Sequence, residues 1–150
     1  MRRPRAAGRI PLLALAVLLG CAGPPGDTLE PGSLPADGTA TPEDVVRAYL
    51  GALQDGDAAA ATALTAPPYA DTDRWPADPP RIADVVVEPA TGQPTTGTAA
   101  QGYAEAVSVR VSFDLHGADE TMPDGPTSWG YVLARDDADA PWRIVDAGNG

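Results

Sequence analysis

Between Ala104 and Gly117 the chain reads AEAVSVRVSFDLHG, in which Val107, Val109, Val111, Phe113 and Leu115 alternate with Ser108, Arg110, Ser112 and Asp114. Side chains of a strand point to opposite faces at successive residues, so this pattern sets five apolar groups on one face and polar groups on the other. A helix would scatter the same residues around its whole circumference. Three further stretches suit strands: RIADVVVEP before it, and TSWGYVLARDD and PWRIVDAG after it. Trp129, Tyr131 and Leu133 alternate in the first of the later pair, and Trp142, Ile144 and Asp146 share a face in the second. MPDGP and DDADAP carry the residues of hairpin turns, whereas PATGQPTTGTAAQ is expected to be a longer flexible loop.

Upstream the period changes to that of a helix. Thr41 is a good N-cap, Pro42 suits the first helical position, and Glu43 and Asp44 set negative charge where the helix dipole favours it. A helix is predicted from Pro42 to Gln54, with Val46, Leu50 and Leu53 on one face beside Val45, Tyr49 and Ala52. Gly56, free to adopt positive φ, ends it. Asp57 can cap a second, alanine-rich helix whose only large apolar residue is Leu64 and which stops before Pro67 and Pro68. Two short helices in a tight turn must bury their faces against something, and the strands supply it. The expected fold is therefore α+β, a helical hairpin packed on a curved antiparallel sheet of about four strands.

The phrases PEDVVRAYLGALQDGDAAAATAL and PWRIVDAG carry a resemblance. The first is similar to the opening helix, Gly-Asp turn and alanine-rich second helix of the nuclear-transport-factor-2-like (cystatin-like, SnoaL-like) domains, and the second to their final tryptophan-containing strand. The resemblance spans residues 41–150 and implies a cone in which sheet and helices enclose a pocket. It implies no single activity, because isomerases, polyketide cyclases, dehydratases and non-catalytic binding modules share this architecture. Its catalytic members aim a carboxylate or histidine into an apolar pocket. Asp114 and His116 are the nearest candidates, but they share the polar face of their strand with Ser108, Arg110 and Ser112. Parity therefore points them to solvent, and no catalytic residue is assigned.

The start of the chain has a different character. Arg2, Arg3, Arg5 and Arg9 precede an uncharged run, IPLLALAVLLG, from Ile10 to Gly20. A membrane-spanning helix needs about 20 apolar residues. The shorter run behind a basic segment suits a secretory signal peptide. Leu18-Leu19-Gly20-Cys21 resembles a bacterial lipobox, and this resemblance implies cleavage between Gly20 and Cys21 and a diacylglyceryl thioether on the Cys21 sulfur. Residues 1–20 would then be the signal peptide, with Cys21 the first residue of the mature protein. One buried acyl chain anchors marginally and two or more hold stably, at roughly 0.8 kcal/mol per methylene. From Ala22 to Ala40, eight of nineteen residues are Pro or Gly. Residues 21–40 are thus expected to form a lipidated, disordered tether.

Composition removes several alternatives. Cys21 is the only cysteine, so no intramolecular disulfide can form, and with His116 the only histidine a cysteine-histidine zinc site has too few ligands. Residues 21–150 hold six arginines and no lysine against 21 acidic residues. Such a surface does not suit nucleic acid, and it would be repelled by an anionic lipid leaflet. The acidic stretches DTDRWPAD and RDDADAP lack the calcium-loop pattern, so Asp136, Asp137 and Asp139 are expected to be a solvated turn and no metal or cofactor is assigned. Trp129, Trp142 and Tyr49 suit core or pocket wall, and Trp75 could line a pocket mouth. The expected function is a membrane-anchored extracytoplasmic lipoprotein, binding an envelope protein or a small apolar ligand without catalysis. The alternative is a small pocket enzyme of the isomerase or cyclase kind with Asp114 or another carboxylate as general base.

Overall fold

A computed structural model describes residues 34, 39–66, 69, 79–118 and 122–148. Gly20, Cys21 and Trp75 lie outside the described residues. Two helices, α1 (Pro42–Gln54) and α2 (Ala58–Ala63), precede five strands: β1 (Arg81–Val87), β2 (Thr91–Gly92), β3 (Glu105–His116), β4 (Gly125–Arg135) and β5 (Arg143–Gly148). The fold is α+β, and the strands form one open, curved antiparallel sheet. Its order is β1-β3-β4-β5, with β2 beside the start of β3 on the side that β1 also occupies.

Helix α1 begins and ends where the capping residues predict. The Thr41 hydroxyl accepts from the Asp44 N–H at 3.2 Å, and the Asp44 carboxylate accepts in return from the Thr41 N–H at 3.1 Å. This reciprocal box satisfies two of the N–H groups that a helix start leaves without partners. Arg47 pairs with Asp44 at 3.5 Å one turn on. Gly56, at φ 68°, turns the chain after α1, and the Asp57 carboxylate caps α2 through the Ala60 N–H at 2.9 Å.

The alternating face of β3 meets the apolar face of α1. Val45, Val46, Tyr49, Leu50 and Leu53 pack with Val109, Val111, Phe113 and Leu115 of β3, Tyr131 and Leu133 of β4, and Trp142 and Ile144. Strand β1 adds Ile82, Val85 and Val87 to this cluster. Trp142 is covered on its other side by Arg135, whose guanidinium lies 4.4 Å from the ring centroid and also donates to Glu105 and, at 2.7 Å, to the Ala138 carbonyl. One arginine thus joins the start of β3, the β4–β5 turn and the tryptophan. Leu34, within the expected tether, is half-buried against the main cluster, as is Ala40.

The sheet departs from the sequence expectation in three places. Thr91–Gly92 forms a fifth strand opposite Ser108 and Val107, extended by a bond from the Gln93 N–H to the Ala106 carbonyl at 2.9 Å. Two residues have no periodicity to detect, so backbone pairing alone defines this strand. The segment after it, expected to be a longer flexible loop, has no regular structure but is tied locally: Ala100 is fully buried, and the Thr98 hydroxyl donates to the Pro94 and Thr95 carbonyls. Finally, Trp142, Ile144 and Asp146 do not share a face. Leu133 pairs with Ile144 while Val132 pairs with Asp146, so Val145 is an extra residue that reverses the parity of β5. Ile144 and Val145 are both buried, and Asp146 is exposed.

Val145 belongs to a second, smaller cluster on the opposite face of the sheet, with Ala66, Ala100, Ala106 and Ala134, flanked by Tyr103 and Val132. Its cover comes partly from the segment after α2, which runs beside β5: the Ile144 N–H donates to the Leu64 carbonyl, and the Ala66 N–H donates to the Ile144 carbonyl, both at 2.9 Å. That contact occupies one edge of the sheet.

Side chains fasten α1 to the strand region at both ends. At the C-terminal end, Gln54 Nε2 donates to the Pro80 carbonyl at 3.2 Å, while its Oε1 accepts from the Ile82 N–H at 3.0 Å. At the N-terminal end, Glu43 Oε1 accepts from the Ala90 N–H at 2.6 Å. The helix therefore runs opposite to β1, bolted at Pro80–Ile82 and at Ala90. Gln54→Ala leaves a partly buried N–H and a carbonyl without partners, so it is expected to cost about 1–3 kcal/mol of unfolding free energy. Urea unfolding with an unchanged m-value measures this; a loss of less than about 0.5 kcal/mol, the scale of an ordinary surface change, would refute the clamp.

Candidate functional site

The space between α1 and the sheet is lined with hydrocarbon and aromatic side chains. Tyr49 meets Tyr131 edge-on at 5.7 Å between centroids and Tyr69 at 6.4 Å, and among the described residues no charged or amide side chain is buried. No carboxylate or histidine of the described residues is buried with these tyrosines. Asp114 is half-buried and His116 exposed, and both alternate with the core residues Phe113 and Leu115, so they stand on the outer face as strand parity predicts.

The acidic turn has a structural role. Asp136, Asp137 and Asp139 are exposed, and the Asp137 carboxylate accepts from the Asp139 N–H at 2.9 Å, closing a turn typical of Asp in loops. Among the described residues, no three acidic, histidine or cysteine side chains gather into a possible metal site. The stretch DTDRWPAD lies outside the described residues. Trp129 is half-buried at the margin of the main cluster and Trp142 lies within it, as core or wall.

A concave site does occur on the outer face, where the sequence marked nothing beyond solvated strand and loop. Glu88, Pro89, Thr91, Gln93, Ser108 and Arg110 line a cleft of about 280 Å³. Pairing assembles it: the Glu88 N–H donates to the Arg110 carbonyl at 2.9 Å, and Thr91 stands opposite Ser108. On the other flank of Arg110 the opposing residue is Gly130, where an added Cβ would find nothing nearer than the Gly148 carbonyl at 3.6 Å. Among the described residues, neither the Arg110 guanidinium nor the Glu88 carboxylate enters an ion pair. The cleft thus presents one cation, one anion, two hydroxyls and an amide. No local motif could reveal it, because its lining comes from segments about twenty residues apart that meet only through strand register.

Glu43 controls one rim of this cleft, since its partner Ala90 lies between the lining residues Pro89 and Thr91. The carboxyl is held below its ordinary value of 4.5. Burial opposes ionisation, but bonds from the Ala90 N–H, its own N–H and the Thr41 side chain, with the Arg47 charge, outweigh it. A carboxylate with a lowered folded pKa adds stability that is complete above the unfolded value and fades as pH falls through the folded one. Glu43→Gln is therefore expected to be less stable than the parent above pH 4.5, with the gap closing as the pH drops below it. Thermal unfolding of both proteins across that range provides the check, and a gap that does not change with pH would contradict it.

Among the described residues, no helix is long and apolar enough to cross a membrane. Compared with known protein families, with curated proteins and with solved structures, this chain finds no match.

Proposed function

We propose that the chain is a secreted lipoprotein held on the outer face of the cytoplasmic membrane by lipid on Cys21, whose domain is a non-catalytic binding or accessory module of the cell envelope. In this proposal residues 1–20 are the signal peptide, and residues 41–150 form a nuclear-transport-factor-2-like cone with the two helices as a hairpin on the curved sheet. The binding role is carried by one observation, the segregation of polar groups. The helix–sheet interior is apolar apart from its tyrosines, while Asp114, His116 and the cleft around Arg110 stand on the outer face. A general base needs an apolar pocket to raise its pKa and a substrate beside it. Asp114 alternates with the core residues Phe113 and Leu115 and so stands on the face of β3 away from the apolar interior.

The anchor rests on the sequence: four arginines, an eleven-residue apolar run and Cys21 at its end. The thiol is required because a thioether to lipid needs a nucleophilic sulfur. Within the proposed tether of residues 21–40, Leu34 and Ala40 rest against the core. The tether's Pro and Gly content would keep the acidic domain away from the leaflet that repels it.

Cys21→Ser separates lipid anchoring from every other mode of membrane attachment. The parent is expected in the membrane fraction, with the mass of a diacylated N-terminus beginning at Cys21, and the variant in the soluble or uncleaved fraction. A variant that stays on the membrane, alongside a parent without lipid, would overturn the proposal.

A further inference from the structure

The cleft around Arg110 is small and open, its lining about evenly polar and apolar, and its two charged groups narrow what it can hold. An isolated guanidinium offers a planar fork of donors that matches a carboxylate. Glu88, on the adjoining segment, offers the complementary acceptor for an ammonium group. The backbones of Glu88 and Arg110 are hydrogen-bonded, yet their side chains form no ion pair with each other. Two opposite charges lining one cleft without pairing suit a molecule that bears both charges.

The charge of the whole protein decides between the simpler alternatives. At a net charge of −11, a free anion meets long-range repulsion on approach, whereas a molecule of zero net charge does not. A lone cation would be attracted but would leave Arg110 without a role and facing a like charge. The volume of about 280 Å³ lies just below the usual range of small-molecule sites and accommodates a ligand of a few heavy atoms.

We propose that this outer-face cleft binds a free α-amino acid, its carboxylate on the Arg110 guanidinium and its ammonium on the Glu88 carboxylate. Ser108, Thr91 and Gln93 supply the remaining donors and acceptors around the two charged ends. The open flank at Gly130 leaves room for a side chain, so the site selects the head group and tolerates different side chains. The inference deepens the binding-module proposal and rests on it, but it names a polar ligand on the face of the sheet away from the apolar core.

The test is an NMR titration of the full-length protein with L-alanine, with acetate and ethylammonium as single-charge probes. L-alanine is expected to give saturating shifts at the amides of Glu88, Thr91, Gln93, Ser108 and Arg110, and each single-charge probe to bind about tenfold more weakly or worse. Arg110→Gln and Glu88→Gln should each weaken alanine binding about tenfold or more, as loss of a charge-assisted bond predicts. Ser112→Ala, on the same face outside the cleft, should leave it unchanged. Equal binding of acetate would make this a plain anion site, equal binding of ethylammonium a cation site, and shifts that never saturate would mean no site; each overturns the proposal. Because the readout is independent of where the protein resides, its failure is distinct from failure of lipid anchoring at Cys21.

Discussion

The attachment of α1 along β1 is the constraint on which the rest of the structure depends. A thirteen-residue helix has too few residues to be stable alone in water, so it persists because its apolar face is buried and its ends are held. Gln54 satisfies a carbonyl and an N–H at the start of β1, which among the described residues has a sheet neighbour only on the β3 side, and Glu43 satisfies the Ala90 N–H past its end. The helix covers the alternating face of β3 only in this position. From that placement follow the buried tyrosines, the shielded tryptophan and an apolar interior.

The two faces of the sheet then diverge. One is a continuous core beneath α1. The other is split along β3: its beginning is closed by alanines and Val145, and its middle opens into the cleft around Arg110. Small side chains allow the segment containing Ala100 to lie close to the sheet, while Gly130 leaves the flank of Arg110 bare. Two bulges contribute to this division. In β1, Asp84 adopts φ 51°, uncommon for a residue with a side chain, where the pairing shifts between Ala83 and Val86; in β5, Val145 is the inserted residue.

Much of the fold is legible in the sequence. The limits of α1 follow from Thr41, Pro42 and Gly56, and those of β3 from its alternation, because capping and side-chain period act within a few residues of chain. The solvent-side position of Asp114 and His116 was legible for the same reason. Strand β2, the burial of Ala100, the parity of Asp146 and every lining residue of the cleft were not. Each depends on which backbone groups meet across the sheet, and a shift of one residue exchanges the faces of everything beyond it.

By itself, then, the sequence determined the α+β order of elements, the ends of the first helix, the face of β3 that turns inward, and a composition without the cysteines or histidines for a disulfide or a zinc site. Only the tertiary structure decided that Gln54 and Glu43 bind the helix to β1, that Val145 reverses the last strand, and that Glu88 and Arg110 share a cleft. The division has a physical cause. Caps and periodicity are set by energies between near neighbours in the chain, whereas register, bulges and clefts are set by hydrogen bonds and contacts between residues that only the folded chain brings together.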